Sequence, residues 1–478
     1  MKIRRGWSVL APLAVCGLLA GWIVLSIANA RAIGFSIFVF AFANLIVYTD
    51  AIDFALRLYM RRRHTASAGG ISESSQNGNL SIDLAAILPL DTRLVVPSLP
   101  FAIIASVFNL EDRIEEFTEA FGPYRDRVWL ISDGSTDNTV LRLRQAGWRC
   151  FDDGINRRKP AALRRLLERV PPHIETVMVI DPDIRIRGLN EGSTIDVDRF
   201  VSEFQQSGAA AACPRIMIEP DGFLARFQAF EYALAFRVGR ESLSDFSITS
   251  GVSFYRRAAL ERALSKHSLS VYAEDFENAL ILLSEGERIY YDGRLVVSTE
   301  GPGSLQRWFS QRVGWYHGLI KVYTERFSEI LRISRRSPFA TYHYLVYVGG
   351  LSLTMHLVKV ASAVLLLMSF VSGLDALLLD DIVPQSSLIN PEYFTAAVMS
   401  YLTLGVIALF TSVPKSERSY TAPIVPLYLC YAIAHIVPMT VGFGNFFALK
   451  IFHRRIYQDH YESPADSRVA PGKIGMIE

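Results

Sequence analysis

The sequence predicts an α/β domain, a largely parallel sheet covered on both faces by helices, set between two groups of membrane-spanning helices. Long apolar runs lie at the two ends of the 478-residue chain, and between them short β-type apolar runs alternate with helical stretches. Half of the residues are apolar and 20% are charged, which excludes a disordered or collagen-like chain. A net charge of +2 provides no basic field, so no nucleic-acid partner is expected. Cys16, Cys150, Cys213 and Cys430 stand far apart without metal-ligand spacing, so neither a disulfide framework nor a zinc site is indicated.

Residues 7–28 form an uncharged run of bilayer-crossing length, and a second run over 33–56 completes a hairpin within residues 1–60. Two such runs in close succession argue against a cleaved signal peptide. A basic and polar linker spans 61–97, beginning at Arg61-Arg62-Arg63-His64, and its 64–80 stretch has the composition of a flexible segment. At the other end, runs over 342–370, 393–413 and 422–449 predict about three spans within 341–450, before a polar tail over 451–478. Pro426 and Pro438 interrupt the last run, which is expected to be re-entrant or bent. Lys2, Arg4, Arg5 and the Arg61 cluster place the middle of the chain on the cytoplasmic side of a bacterial inner (plasma) membrane. Within the spans, Asp53 and Arg57 are spaced to pair at i, i+4. His356 and Lys359 are costly in lipid and are candidates for lining a path for a polar glycan.

In the middle, strands are predicted over 101–108, 128–131 and 176–180, with helices over 111–121, 138–146 and 160–170. Ligands of such sheets bind beyond the carboxyl ends of the strands. The polar motifs fall there. Ser132-Asp133-Gly134-Ser135-Thr136-Asp137-Asn138-Thr139 is an acidic turn into a helix capped by Asp137. Asp181-Pro182-Asp183 puts two carboxylates at a strand end, suited to Mg²⁺ or Mn²⁺ held together with phosphates. Each motif alone also reads as an ordinary turn. Lys159 precedes a helix starting at Pro160, and Glu274-Asp275-Phe276-Glu277 opens another helix whose positive end favours acids.

Taken in order, Asn109 at a strand end, the Asp133 loop, Lys159, Asp181-x-Asp183, Glu274-Asp275 and Gln311-x-x-x-Trp315 resemble family 2 of the glycosyltransferases over about residues 98–320. The chain looks especially like the processive membrane-bound cellulose, hyaluronan, chitin and poly-N-acetylglucosamine synthases. That resemblance implies a GT-A fold over 98–300, a nucleotide-sugar donor, a divalent cation and inversion at the anomeric carbon. It implies donor contacts at Asn109, Asp133, Lys159 and Asp181. Of these, Asp133 would meet the uracil of a UDP-sugar, Asp181 would lie near ribose and Lys159 near the diphosphate. Asp183 would ligate the metal, and Asp275 would be the general base. Gly251, Glu274, Gln311, Arg312 and Trp315 would serve the acceptor and diphosphate, with Gly251 allowing close backbone approach. Where the family pattern is Gln-x-x-Arg-Trp, residue 314 is Gly, and Arg312 is the candidate to supply the missing charge. The departure bears on retention of a growing polymer more than on sugar transfer. Trp308, Gln311, Arg312, Trp315 and Leu319 share one helical face, so residues 301–340 also read as amphipathic helices on the membrane surface.

The expected function is inverting transfer of a sugar to a growing glycan, possible export coupling and accessory export subunits included. The alternatives are single-sugar transfer to a lipid or lipid carrier, and an inactive glycan-binding scaffold. The central region has no GxxxxGK[ST] loop, complete GxGxxG, GxSxG elbow or HExxH, which leaves kinase, dinucleotide-dependent and serine-hydrolase readings without support.

Overall fold

The structure, a computed structural model, describes residues 37–74, 100–189, 191–268, 272–378, 389–454 and 456–457. The expected first span, the 75–97 part of the linker and the tail beyond 457 lie outside the described residues. Helix α1 (Ile37–Ala43) is followed by α2 (Leu45–Ser74), so residues 64–74 are helical where a flexible linker was expected. Asp53 and Arg57 pair at 2.8 Å on α2, as their spacing predicts.

The central domain alternates β1 (Phe101–Val107), α3 (Ile114–Phe121), β2 (Val128–Ser132), α4 (Thr139–Gln145), β3 (Cys150–Phe151), α5 (Lys159–Leu167) and β4 (Thr176–Val179). After the short β5 (Arg185–Ile186) come α6 (Val197–Ser207), β6 (Ala211–Glu219), α7 (Phe223–Leu234), β7 (Ser253–Arg256), α8 (Arg257–Lys266), α9 (Glu274–Ser284) and β8 (Ile289–Glu300). The sheet order is β3-β2-β1-β4-β7-β6-β8-β5. β1 pairs in parallel with β2 and β4, and β2 with β3, which is the predicted βαβ half. β7 then runs antiparallel to both β4 and β6. The sheet is therefore mixed and less parallel than expected. Pro214, which lacks an N–H, sits at the register shift between Pro214 and Arg215 in β6, the place where a sheet tolerates it.

β1 reads FAIIASV because both faces of the sheet are covered and nearly every side chain is buried. One face packs against α3 and α6 through Phe117, Phe121, Phe200 and Phe204. The other takes Leu163, Leu166, Leu260, Leu280 and Leu283 from α5, α8 and α9.

Beyond the sheet lie α10 (Leu305–Glu325) and α11 (Phe327–Ser334), then a π-helical stretch, Thr341–Thr354, and α12 (His356–Leu378). The expected 342–370 span is thus divided at Met355, whose N–H reaches Gly350 in a widened turn. Helix α13 (Pro391–Thr411) follows, and the last apolar run is broken, as its prolines predict, into short turns, α14 (Tyr428–Ala434) and α15 (Ile436–Phe452). Among the described residues three stretches, His356–Leu378, Pro391–Thr411 and Lys415–Phe452, are long and apolar enough to cross a membrane.

Helix α10 does not lie loose on a surface. Trp308 and Arg312 are each only 3% exposed, and α15 crosses α10 at Gly442, where a Cβ would stand 2.8 Å from the Val313 carbonyl and 3.0 Å from the His317 nitrogen. Gly442→Val is expected to separate the two helices at an overpacking cost of about 1–3 kcal/mol. The melting temperature in detergent should fall; an unchanged value would contradict this packing.

Candidate functional site

Three backbone irregularities mark one end of the sheet. Asn109 (φ 47), Arg158 (φ 71) and Ala273 (φ 60) hold left-handed conformations that a non-glycine residue avoids, and each adjoins a motif segment. Asn109 Oδ1 accepts from the Thr136 N–H at 2.9 Å, while its own N–H donates to Ser135 Oγ at 3.1 Å. Its carbonyl therefore shapes the acidic loop. The Asp133 N–H extends the β1 edge by donating to Val107 O at 2.8 Å, and its buried carboxylate accepts from the Arg157 N–H at 2.6 Å. Burial raises the Asp133 carboxyl above its ordinary value against the pull of the Arg157 and Arg158 N–H groups. Gly134 (φ 72) is required there because a Cβ would strike the Asn156 nitrogen at 2.6 Å. Helix α4 starts one residue later than expected, yet Asp137 still accepts from the Thr139 N–H at 3.0 Å.

Lys159, at the start of α5, joins two distant motifs. Its Nζ lies 2.5 Å from Asp181 Oδ1 and 2.8 Å from Glu274 Oε1, spanning 22 and 115 residues of chain. Burial alone would lower the ammonium, but the two carboxylates outweigh it and hold Lys159 well above its ordinary value. Burial, with Asp183 and Glu274 adding repulsion against the attraction of Lys159, lifts Asp181 to about 6. Asp183 accepts from Thr299 Oγ1 at 2.7 Å, a partner on β8.

The Glu274-Asp275 pair opens α9, as the sequence predicts. Asp275 Oδ1 accepts from the Phe276 N–H at 2.8 Å and the Asp275 carbonyl from Thr249 Oγ1 at 2.5 Å. Burial and the neighbouring Glu274 push the Asp275 carboxyl up to about 6, while Arg240 and Lys159 oppose the rise. Gly251 has a packing role as well. The space of its missing side chain is filled by the Asp181 carboxylate, and its carbonyl accepts from the Asp181 N–H at 3.0 Å.

The Gln311 to Trp315 segment lies on α10. Arg312 is directed away from supplying a free charge: its Nη2 donates to Glu231 Oε2 on α7 at 2.8 Å, and its guanidinium lies 4.2 Å from the Trp315 ring centroid. Glu231 also accepts from Tyr431 OH at 2.8 Å. Gln311 Oε1 is buried without a hydrogen-bond partner among the described residues, and Trp315 is 39% exposed. Gly314 has a steric reason. The Tyr272 ring lies over it, where any Cβ would overlap the ring, and Gly318 similarly receives Tyr272 and Ala273. The two glycines seat the residues that lead into the acid pair.

The structure thus brings Lys159, Asp181 and Glu274 into direct contact, with Asp183 and Asp275 within electrostatic reach of this group. Asn109 and Asp133 shape the neighbouring loop, and Arg312 lies in a buried ion pair. Glu231, Arg240, Tyr272 and Thr299 carry no local motif and were missed by sequence reasoning; only their place in the fold reveals them. The inferred cation agrees in chemistry with hard carboxylate oxygens. Among the described residues no three His, Cys, Asp or Glu side chains converge on a metal position, so Asp183 would hold Mg²⁺ or Mn²⁺ only together with ligand phosphates.

Residues 193–413 match the family model described as glycosyl transferase family group 2. Among solved structures, a mannosyltransferase from Pyrobaculum calidifontis in complex with GDP-Man and Mn²⁺ is 15% identical, with coverage of 83% of this chain and 99% of that one and a TM-score of 0.46. Glucosyl-3-phosphoglycerate synthase from Mycobacterium tuberculosis with Mn²⁺ and uridine-diphosphate-glucose is 16% identical, with coverage of 46% and 78% and a TM-score of 0.30. No curated protein matches the chain significantly.

Introducing the family arginine should be harmful here. Gly314→Arg is expected to displace Tyr272 and with it Glu274 and Asp275, lowering sugar transfer at least about tenfold, equivalent to about 1.4 kcal/mol in the barrier. Tyr272→Ala combined with Gly314→Arg should recover part of that loss. A fully active Gly314→Arg single variant would refute the steric account.

Proposed function

We propose that this chain is a membrane-bound, nucleotide-sugar-dependent glycosyltransferase that inverts configuration, using a UDP-sugar as donor and a growing glycan as acceptor. The observation that carries the reading is the Lys159 bridge, which brings the Asp181-x-Asp183 turn and the Glu274-Asp275 pair to one place. The family match supports it. The apolar helices support a membrane setting, in which the basic clusters put the domain on the cytoplasmic side of a bacterial inner membrane. Export through accessory subunits belongs to the same reading.

In this mechanism Asp133 faces the base of the nucleotide and Asp181 the ribose. Asp183 would hold Mg²⁺ or Mn²⁺ together with the ligand, and the cation would supply neutralising charge for a nucleoside diphosphate leaving group. Lys159 adds positive charge on the same side. Asp275 accepts the proton of the attacking acceptor hydroxyl. With one carboxylate as base and no covalent nucleophile, a single displacement inverts the anomeric centre, as in inverting glycosidases. Trp315 and Gln311 would serve the acceptor side.

The Tyr272 ring over Gly314 favours a second reading, transfer of a single sugar to a lipid, because it occupies the position of the family arginine associated with polymer retention. Product size separates the two. Membranes holding the protein are incubated with labelled nucleotide sugars and Mg²⁺ or Mn²⁺; a high-molecular-weight product supports the synthase and a chloroform-extractable one the lipid transferase. Absence of transfer from every donor would favour the inactive scaffold.

Asp275→Asn is expected to reduce transfer about 10²- to 10⁴-fold, the usual worth of a general base, while donor binding persists. Unchanged turnover would remove the assignment. Because Asp275 is raised to about 6 and must be ionised to accept a proton, turnover should fall as pH drops through about 6 and level off above it. Chelation of divalent cations should abolish transfer, with recovery on adding Mn²⁺; full activity in chelator would contradict the role of Asp183.

A further inference from the structure

We infer that Arg240 is a positioning residue for the Asp275 carboxylate, acting through the Thr249 turn and held in place by the arginines of helix α2. This rests on the reading of Asp275 as base. The segment Ala235–Arg240 is a π-helical extension of α7, and Arg240 is its last residue. The Arg240 Nη1 donates to the Thr249 carbonyl at 3.3 Å, and Thr249 Oγ1 donates in turn to the Asp275 carbonyl at 2.5 Å. One hydrogen-bonded residue therefore separates Arg240 from the backbone of the acid pair.

The turn itself is firmly set. Ser253 Oγ accepts from the Ser250 N–H at 2.9 Å, and Cys213 Sγ donates to the Ile248 carbonyl at 3.1 Å. On the other side of Arg240, α2 grips the same segment. Arg57 Nη1 donates to Ser242 Oγ at 3.4 Å, Ser242 Oγ donates to the Gly239 carbonyl at 2.7 Å, and Arg61 pairs with Glu241 at 2.5 Å. Glu241 is shared with Arg237 at 3.4 Å, which closes the clamp around residue 240. Arg57 is itself 4% exposed and anchored by Asp53. A π-helical segment is a costly conformation that persists when its surroundings hold it. Here the surroundings come from the apolar N-terminal part of the chain.

The consequence is electrostatic as well as geometric. Around Asp275 the negative neighbour is Glu274 and the positive ones are Arg240 and Lys159, and Cys213, Tyr232 and Tyr255 lie within its electrostatic reach. Lys159, already bound to two carboxylates, and Arg240 both oppose the Asp275 rise, with Arg240 the stronger of the two.

The test is the pH profile of sugar transfer by the full chain in membranes, with Arg240→Gln and Arg240→Lys. The glutamine keeps a donor for the Thr249 carbonyl but removes the charge, and its acid limb should move upward by roughly one pH unit. The lysine keeps the charge, and its acid limb should stay with wild type. KM for the donor should change little in both. A purely structural role would lower turnover equally at all pH values, so two superimposable profiles, or two equal shifts, overturn the inference. Asp275→Asn is measured alongside: if it keeps turnover, the base reading fails, whereas an inactive Asp275→Asn with unshifted Arg240→Gln refutes Arg240 alone.

Discussion

The contact of Lys159 with Asp181 and Glu274 is the constraint on which the site depends. Without it, the Asp181-x-Asp183 turn beyond β4 and the acid pair opening α9 would repel each other across the same space. One ammonium cannot neutralise that many carboxylates. Asp181 and Asp275 are both lifted to about 6, first by burial and then by the carboxylates around them, Asp183 and Glu274 for Asp181 and Glu274 for Asp275. In the proposed function such a site would take a cation together with a ligand that brings one with its phosphates. The proposed transfer chemistry uses this imbalance, which by itself costs stability.

Glycines settle how tightly the parts around that contact fit. Gly251 leaves room for the Asp181 carboxylate, Gly314 and Gly318 for Tyr272 and Ala273, and Gly442 for the backbone of α10 against α15. The route from the apolar helices to the acid pair is therefore short. α15 fixes α10, α10 seats Tyr272, and Tyr272 leads through strained Ala273 into Glu274 and Asp275. A second route runs from α2 through Arg57 and Arg61 to the Arg240 segment. Both connect the end regions with the chemistry of the middle, in keeping with a reaction carried out against a bilayer.

Local chemistry made part of this legible in the sequence. Strands β1, β2 and β4 are short, apolar and buried on both faces, so pattern alone located them, and the loops after β2 and β4 carried their carboxylates in recognisable form. The Asp53–Arg57 pair followed from i, i+4 spacing. The antiparallel half was hidden because β7 pairs with β4 and β6 across long stretches of chain and owes its direction to tertiary contacts. Helix α2 continues through 64–74 where small and polar residues suggested a linker. Arg312 looked like a spare charge because nothing local announces Glu231, which lies 81 residues away. Gly314 looked like a motif defect; its cause, the Tyr272 ring, is a neighbour only in three dimensions.

The most direct test of the central claim is to determine where a nucleoside diphosphate and its cation bind, by solving the full chain with UDP and Mn²⁺ and locating the metal by its anomalous scattering. The account predicts manganese at Asp183, with the diphosphate on the Lys159 side and the Asp275 carboxylate left open toward the acceptor. Manganese and UDP bound elsewhere, or UDP bound equally well by Asp183→Ala without metal, would contradict it.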